Sequence, residues 1–297
     1  MKMIRPVTIN DAVLTSTNVT EADHPTWVVG TTYSVDVYVI YEHVIYQSIQ
    51  GSNTGHDPST DDGTWWFAIS ATNAWKMFDG HGGTSTVNAD TIDITLDAGL
   101  DAGRVNSLAL LGLSANTVTV EMYDGATLVY SSVNDLAIEN VGDWYEYFYE
   151  PILKNDTLVL TDLPVYGNAT IDVLIDQTGS DAECSLCVVG NFRNIGTTLW
   201  GASTGIIDYS KKETNIFGAV TLLKRAFSKR ASFDIVVDNV LIGEIVRLLA
   251  EYRATPVVWV GSADFDSTVI YGFYRDFDTV IANPAHSECS IEIEGII

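Results

Sequence analysis

Thr117-Val-Thr-Val-Glu-Met-Tyr-Asp-Gly-Ala-Thr-Leu-Val-Tyr130 is the stretch on which the fold turns. Val118, Val120 and Met122 alternate with Thr117, Thr119 and Glu121, the period of two expected of a strand with one buried face. Asp124-Gly125 supplies a hairpin turn dipeptide, and a second strand-like run follows it. The same pattern recurs outward in both directions. It is seen in Asp90-Thr-Ile-Asp-Ile-Thr-Leu-Asp97, Asp156-Thr-Leu-Val-Leu-Thr161, Ala169-Thr-Ile-Asp-Val-Leu-Ile-Asp176 and Cys184-Ser-Leu-Cys-Val-Val-Gly190. These spacings suit a two-sheet sandwich, and residues 81–196 read as one β-sandwich.

Residues 1–80 are strand-like too, but aromatic. Thr31-Thr-Tyr-Ser-Val-Asp-Val-Tyr-Val-Ile-Tyr-Glu-His-Val-Ile-Tyr-Gln-Ser48 holds two short strands almost end to end, and Gly51-Ser-Asn-Thr-Gly-His-Asp-Pro58 is a polar loop. Four of the seven tryptophans, Trp27, Trp65, Trp66 and Trp75, fall here. Residues 197–297 contain the one convincing helix, Asp238-Asn-Val-Leu-Ile-Gly-Glu-Ile-Val-Arg-Leu-Leu-Ala-Glu-Tyr-Arg253. Leu241, Ile245, Leu248, Leu249 and Tyr252 form its apolar stripe, with Asp238 as the expected cap and Pro256 beyond its end. Strands around Phe233 and Trp259, and an alternating final strand with Cys289, Ile291 and Ile293 inward, complete an α+β unit. The fold class is therefore mainly β with one α+β domain: a small aromatic module, a β-sandwich, and a sheet with one packed helix.

Charge narrows the partners. The 297 residues carry 39 Asp/Glu against 15 Lys/Arg, a formal net charge of −24. Such a chain is unsuited to neutralising phosphates or docking on an anionic membrane, so neither nucleic acid nor membrane insertion is expected. The acid is uneven: residues 1–196 hold 26 acidic and 6 basic side chains, residues 197–297 hold 13 and 9. Three cysteines are too few for a disulfide framework. The first residues lack the apolar run of a signal peptide, and no run approaches a membrane span, so synthesis and folding in the cytoplasm are expected.

Catalytic patterns do not emerge. The five histidines, His24, His43, His56, His81 and His286, form no HExxH pair, and there is neither a nucleophile elbow nor a phosphate loop. Asp79 and His81 beside Gly80 suit a tight turn better than a metal site. Cys184 and Cys187 have CxxC spacing without a second pair; on one strand their thiols would face opposite ways, which favours buried structural cysteines. Asp57, Asp61 and Asp62 do not follow the ligand spacing of a calcium loop and read as a solvated acidic turn. No carboxylate pair stands out for glycoside hydrolysis. An enzyme is not expected, nor is any cofactor or metal. Aromatic rings are the strongest constellation: Tyr41, Tyr46, Trp65 and Trp66 around Asn53 could stack on sugar rings while the amide takes hydroxyls. Of Trp65 and Trp66, adjacent on a strand, only one is easily buried.

Two resemblances bear on function. Tyr38-Val-Ile-Tyr-Glu-His-Val-Ile-Tyr-Gln-Ser48, Asn53-Thr-Gly-His-Asp-Pro58 and Trp65-Trp66 resemble the small carbohydrate-binding modules of chitinases. On a wider span the chain is similar to tailed-bacteriophage tail-tip or baseplate virion proteins. The matching stretches are Asp11-Ala-Val-Leu14, Trp27-Val-Val-Gly-Thr-Thr-Tyr33 and Thr72-Asn-Ala-Trp-Lys-Met-Phe-Asp-Gly80, followed by Phe227-Ser-Lys-Arg-Ala-Ser-Phe233, Ala254-Thr-Pro-Val-Val-Trp-Val-Gly261 and Tyr271-Gly-Phe-Tyr-Arg-Asp-Phe277. The last three resemble the strand–helix–strand plan of tail-tube and distal-tail folds.

The resemblance implies a carbohydrate-binding-module-like segment at 1–80, a galactose-binding-like sandwich at 81–196, and a tail-tube-like barrel or sandwich at 197–297. It implies a structural subunit in the tail of the virion, made in the bacterial host, whose partners are its own copies in a symmetric ring and other tail proteins. Leu241, Ile245, Leu248, Leu249 and Trp259 would form the core of the assembling domain. The alternative is an adhesion protein that contacts a cell-surface glycan through Tyr41, Tyr46, Asn53, Trp65 and Trp66.

Overall fold

In the computed structural model, which describes residues 1–97, 105–137, 144–145, 154–214, 217–218, 220–262, 265–281 and 283–296, strands dominate. The chain opens with β1 (Lys2–Pro6) and β2 (Leu14–Thr17), then the aromatic strands β3 (Thr32–Tyr33), β4 (Tyr38–Tyr41), β5 (Val44–Ser48), β6 (Asn53–Thr54) and β7 (Trp66–Ala71). The middle supplies β8 (Thr86–Asp97), β9 (Ser107–Leu111), β10 (Thr117–Asp124), β11 (Thr127–Asp135), β12 (Thr157–Leu160), β13 (Ala169–Cys184) and β14 (Leu186–Asn194). The last third adds β15 (Thr197–Thr198), β16 (Ser203–Asp208), β17 (Lys211–Thr214), β18 (Val220–Leu223) and β19 (Phe227–Asp238). It closes with helix α1 (Ile242–Glu251), β20 (Val257–Val260), β21 (Val269–Val280) and β22 (His286–Gly295).

The alternating stretch is a hairpin, as its pattern predicts. β10 and β11 pair up to Asp124 opposite Thr127, with Gly125 at φ 60° opening the two-residue turn. Glycine adopts that left-handed backbone without the Cβ clash other residues incur. Val118, Val120 and Met122 are fully buried, and the threonines between them are not. β10 belongs to a five-stranded antiparallel sheet ordered β11-β10-β13-β8-β2. Its inner face packs Ile92, Ile94, Ile171 and Val173 against Leu108, Leu110, Cys187 and Val189 of β9 and β14. Those two strands lie in a second sheet, so the two sheets face each other as the layers of a β-sandwich, with β2, from outside residues 81–196, completing the first.

The second sheet does not stop at that sandwich. It has ten strands, in the order β12-β9-β14-β1-β20-β21-β22-β19-β15, with β16 also on β19. β1, placed with the aromatic segment by the sequence, instead lies at its centre, pairing antiparallel with β14 on one side and β20 on the other. The hydrogen-bonded ladder thus crosses both expected segment boundaries. Met3 and Ile4, both fully buried, point to opposite faces: Met3 joins the helix-side core, Ile4 a third core with Ala109, Val188 and Val258. The strands approach so closely that a Cβ on Gly190 would overlap the Arg5 carbonyl, which makes glycine a requirement at that crossing.

α1 packs on this sheet through Ile245 and Leu249, against Phe233, Ile235, Trp259, Cys289 and Ile291, with Leu248 and Tyr252 at the margin. Two expectations about it need correction. Asp238 is not its cap: the strand claims it, pairing with His286, and its carboxylate accepts the Val240 N–H at 3.2 Å. The N-cap is Leu241, which offers no side-chain cap and is 45% exposed, so Ile242 occupies the packing position expected of Leu241. Trp259 is fully buried, and its indole N–H donates to the Gly272 carbonyl at 3.0 Å.

Cys184 and Cys187 also depart from expectation. They do not share a strand: the chain passes from β13 to β14, and so from one sheet to the other, at Ser185. Both thiols therefore enter the same sandwich core, where burial pushes Cys184 up to about 12 and Cys187 well above the ordinary thiol value. Both are free, as is buried Cys289.

Candidate functional site

The aromatic unit is built on two small sheets, β4-β5-β7 and β3-β6, around Tyr33, Val39 and Trp66. Trp27, Tyr46 and Trp65 pack on this core and keep part of their surface in solvent. Tyr41, half-buried, sits edge-on to Trp27 at 5.1 Å between ring centroids and points its hydroxyl at Asp57, 3.4 Å away. Trp65 stacks face to face on His56, 3.9 Å between centroids and 10° from parallel. Partial burial, then the Asp57 and Glu42 carboxylates, hold the Tyr41 hydroxyl above its ordinary value, so it is a donor at neutral pH.

The five candidate sugar contacts therefore divide. Tyr41, Tyr46 and Trp65 gather at the accessible side of the unit. Trp66 is only 2% exposed and its indole N–H donates to the His56 carbonyl at 2.9 Å, so it is the floor of the unit and presents no open ring face. Asn53 is fully buried, its amide N–H₂ turned to the Ser48 hydroxyl at 3.1 Å and the Trp65 carbonyl at 3.4 Å. It braces the loop instead of facing solvent. Alternation made only one of the two adjacent tryptophans easy to bury; the buried one is Trp66.

The acidic turn before β7 is organised by its carboxylates. Asp61 Oδ2 accepts the N–H groups of Gly63, Trp65 and Trp66, each at 3.0 Å. Burial alone would raise its carboxyl, yet these backbone donors outweigh that and hold it below the ordinary carboxylate range. Asp57 accepts the Ser59 N–H and hydroxyl at 2.9 Å each. No group of three or more His, Cys, Asp or Glu among the described residues is arranged to hold a metal. At Asp79, a carboxylate oxygen takes the His81 N–H at 2.7 Å, a turn contact.

A second surface is one that sequence reasoning passed over. β17 and β18 pair only with each other among the described strands and are exposed along their whole length. They continue the β16 and β19 ladder outward as a two-stranded ribbon. At its root and along it, Ile206, Val220, Leu222, Leu223 and Phe227 are all at least half exposed; Trp200 lies at the other end of the β16–β19 ladder. Trp200, at 93%, overhangs a cleft of about 590 Å³ whose other walls include Phe265 and Thr268. The signal available in the sequence was the crowding of Lys and Arg between 209 and 230. Of the candidate assembly residues, Ile245, Leu249 and Trp259 are interior, Leu248 is marginal, and Leu241 alone is well exposed.

No helix among the described residues is long and apolar enough to cross a membrane. Compared with known protein families and with curated proteins, the sequence gives no significant match.

Proposed function

We propose that this chain is a structural subunit of a bacteriophage tail tip or baseplate, without catalytic activity. It assembles with copies of itself through residues 197–297 and displays its β-rich parts outward. The observation that carries the assembly half of this reading is the ribbon of β17 and β18, exposed along its length, in which β18 presents Val220, Leu222 and Leu223 to solvent beside the polar β17. Large apolar side chains left open on an exposed strand suit protein–protein contact, and a two-stranded ribbon is only marginally stable until something packs on it. The virion half is supported by the sequence resemblance described above, in which the last third follows the strand–helix–strand plan of tail-tube and distal-tail proteins.

The test is imaging: negative-stain micrographs of the purified full-length chain, and of phage particles labelled with an antibody against it. Closed rings and label at the tail tip are the expected result. Monomers at every concentration, with unlabelled particles, would sink the proposal.

A glycan-binding role on the same virion is the second reading. Its support is the cluster of half-buried rings, Tyr41, Tyr46 and Trp65, beside the Asp57 carboxylate, a combination of apolar ring faces and acceptor that suits a sugar. Trp65→Ala and Tyr41→Ala should abolish retention on a glycan array and slow host adsorption. If both variants bind and adsorb like the parent chain, the role is excluded.

A further inference from the structure

The near neutrality of the last third conceals two opposed surfaces. Residues 209–230 contain six Lys/Arg and one carboxylate, Glu213, while the rest of 197–297 contains three Lys/Arg and twelve Asp/Glu. In a chain of net charge −24, this basic segment is the ribbon and its root. Lys211, Lys212, Lys224 and Arg225 are all exposed. Lys211 lies 2.9 Å from Glu213, so the one carboxylate of the ribbon already answers one of its cations.

The acid is concentrated on the sheet from which the ribbon springs. Along β19, β21 and β22 one set of side chains, including Phe233, Phe277 and Ile291, enters the core under α1. The alternate set faces outward: Asp234, Asp276, Asp278, Glu288 and Glu292 are exposed. The register sets Asp276 directly opposite Glu292, and places Asp234 and Asp278 on either side of Ser290. Two cations share this face at one end: Arg275, 3.4 Å from Glu294, and Arg230, opposite Glu294 in the register. The five carboxylates beyond them leave the face net acidic, and like charges facing one another across a ladder favour a cationic partner. The face also carries apolar surface at its opposite end, with Val280 and Ile281 63% and 74% exposed.

Geometry prevents the ribbon from serving its own face. β19 begins at the ribbon root, Phe227, and runs toward Asp234, so the ribbon leaves the sheet in the opposite direction. The four paired positions of β17 and β18 extend about 13 Å, which carries the cations outward. We infer that the basic ribbon of one copy docks on the acidic face of β19, β21 and β22 of a second copy, Lys212, Lys224 and Arg225 against its carboxylates and Leu222 against Val280 and Ile281. The contact joins two different surfaces head to tail, the type that closes into rings when its rotation permits. It rests on the assembly reading above and names the surfaces that reading leaves open.

Charge exchange tests it. The full-length chain is followed by sedimentation velocity at low and high salt, beside two variants. One carries Lys211→Glu, Lys212→Glu, Lys224→Glu and Arg225→Glu; the other carries Asp234→Lys, Asp276→Lys and Glu292→Lys. The parent chain should self-associate, and less so at high salt because exposed charges are screened beyond about 10 Å at 0.1 M ionic strength. Each variant alone should associate at least about tenfold more weakly, and an equimolar mixture of the two should recover assembly. A milder pair, Asp276→Asn with Glu292→Gln, guards against misfolding and should weaken association in the same direction. Assembly of the parent chain that is untouched by either reversal, or not recovered in the mixture, overturns the docking while leaving the assembly role standing. A parent chain that stays monomeric throughout overturns both.

Discussion

Asp61 is a small group with a large share in the aromatic unit, because one carboxylate oxygen satisfies three backbone N–H groups that would otherwise be left at the turn. Asp61→Ala should cost about 1–2 kcal/mol, the usual worth of a carboxylate cap, read as a lower urea midpoint by tryptophan fluorescence. The sign with pH follows from its direction. A carboxyl held below its unfolded value of about 3.9 contributes stability that is complete above that value and lost as pH falls through the lower folded value. The gap between parent and variant should therefore be full at pH 7 and close below about pH 4; a gap that persisted in acid would assign the effect elsewhere. The two tryptophans beside it should separate by role. Trp66→Ala, emptying the floor of the unit, should cost about 3–5 kcal/mol, whereas Trp65→Ala, losing a half-exposed stack, should cost about 1–2 kcal/mol. Equal costs would contradict the burial that distinguishes them. That only one of the pair is easily buried was legible from alternation. Which one was not, since it depends on where the His56 carbonyl comes to lie.

Helix α1 shows the same division between period and boundary. Its stripe is written in the 3.6-residue spacing, and Ile245 and Leu249 pack as that spacing requires. Its start is not, because β19 keeps its ladder through Asp238 and pulls the first turn on by several residues. Leu249→Ala should cost about 2–5 kcal/mol, while Leu241→Ala should stay within about 0.5 kcal/mol; thermal denaturation of both variants checks this. The β17–β18 ribbon was harder to see. Its Lys and Arg residues mark the segment as solvated, but that Val220, Leu222 and Leu223 of β18 are open too is seen only from the lack of any described strand or helix against them. The cysteines carried a similar ambiguity: CxxC spacing says nothing of a sheet change at Ser185, which turns both thiols into one core.

For the molecule as a unit, the decisive element is five residues long. β1 stitches β14 to β20, so the sandwich and the helix-bearing part share one sheet instead of lying side by side. Removing residues 197–297 would strip β20 from β1 and uncover Met1, Met3 and Ile195. The truncated chain is expected to be insoluble or to lose its cooperative unfolding, as followed by expression yield and circular dichroism; a well-folded fragment of residues 1–196 would show that the two parts are independent. Charge behaves alike: a net −4 over the last third looks like neutrality and is instead a basic ribbon beside an acidic face. From residue order alone one could read the β-rich class, the hairpin at Asp124-Gly125, the inward sets of the strands and the helix stripe. Each depends on neighbours a few positions apart and on the periods of two and 3.6. Sheet order, the central place of β1, the burial of Trp66 over Trp65 and the exposure of the ribbon came only with the folded chain. They depend on pairings between residues as distant as Met3 and Trp259, whose partners no local pattern names.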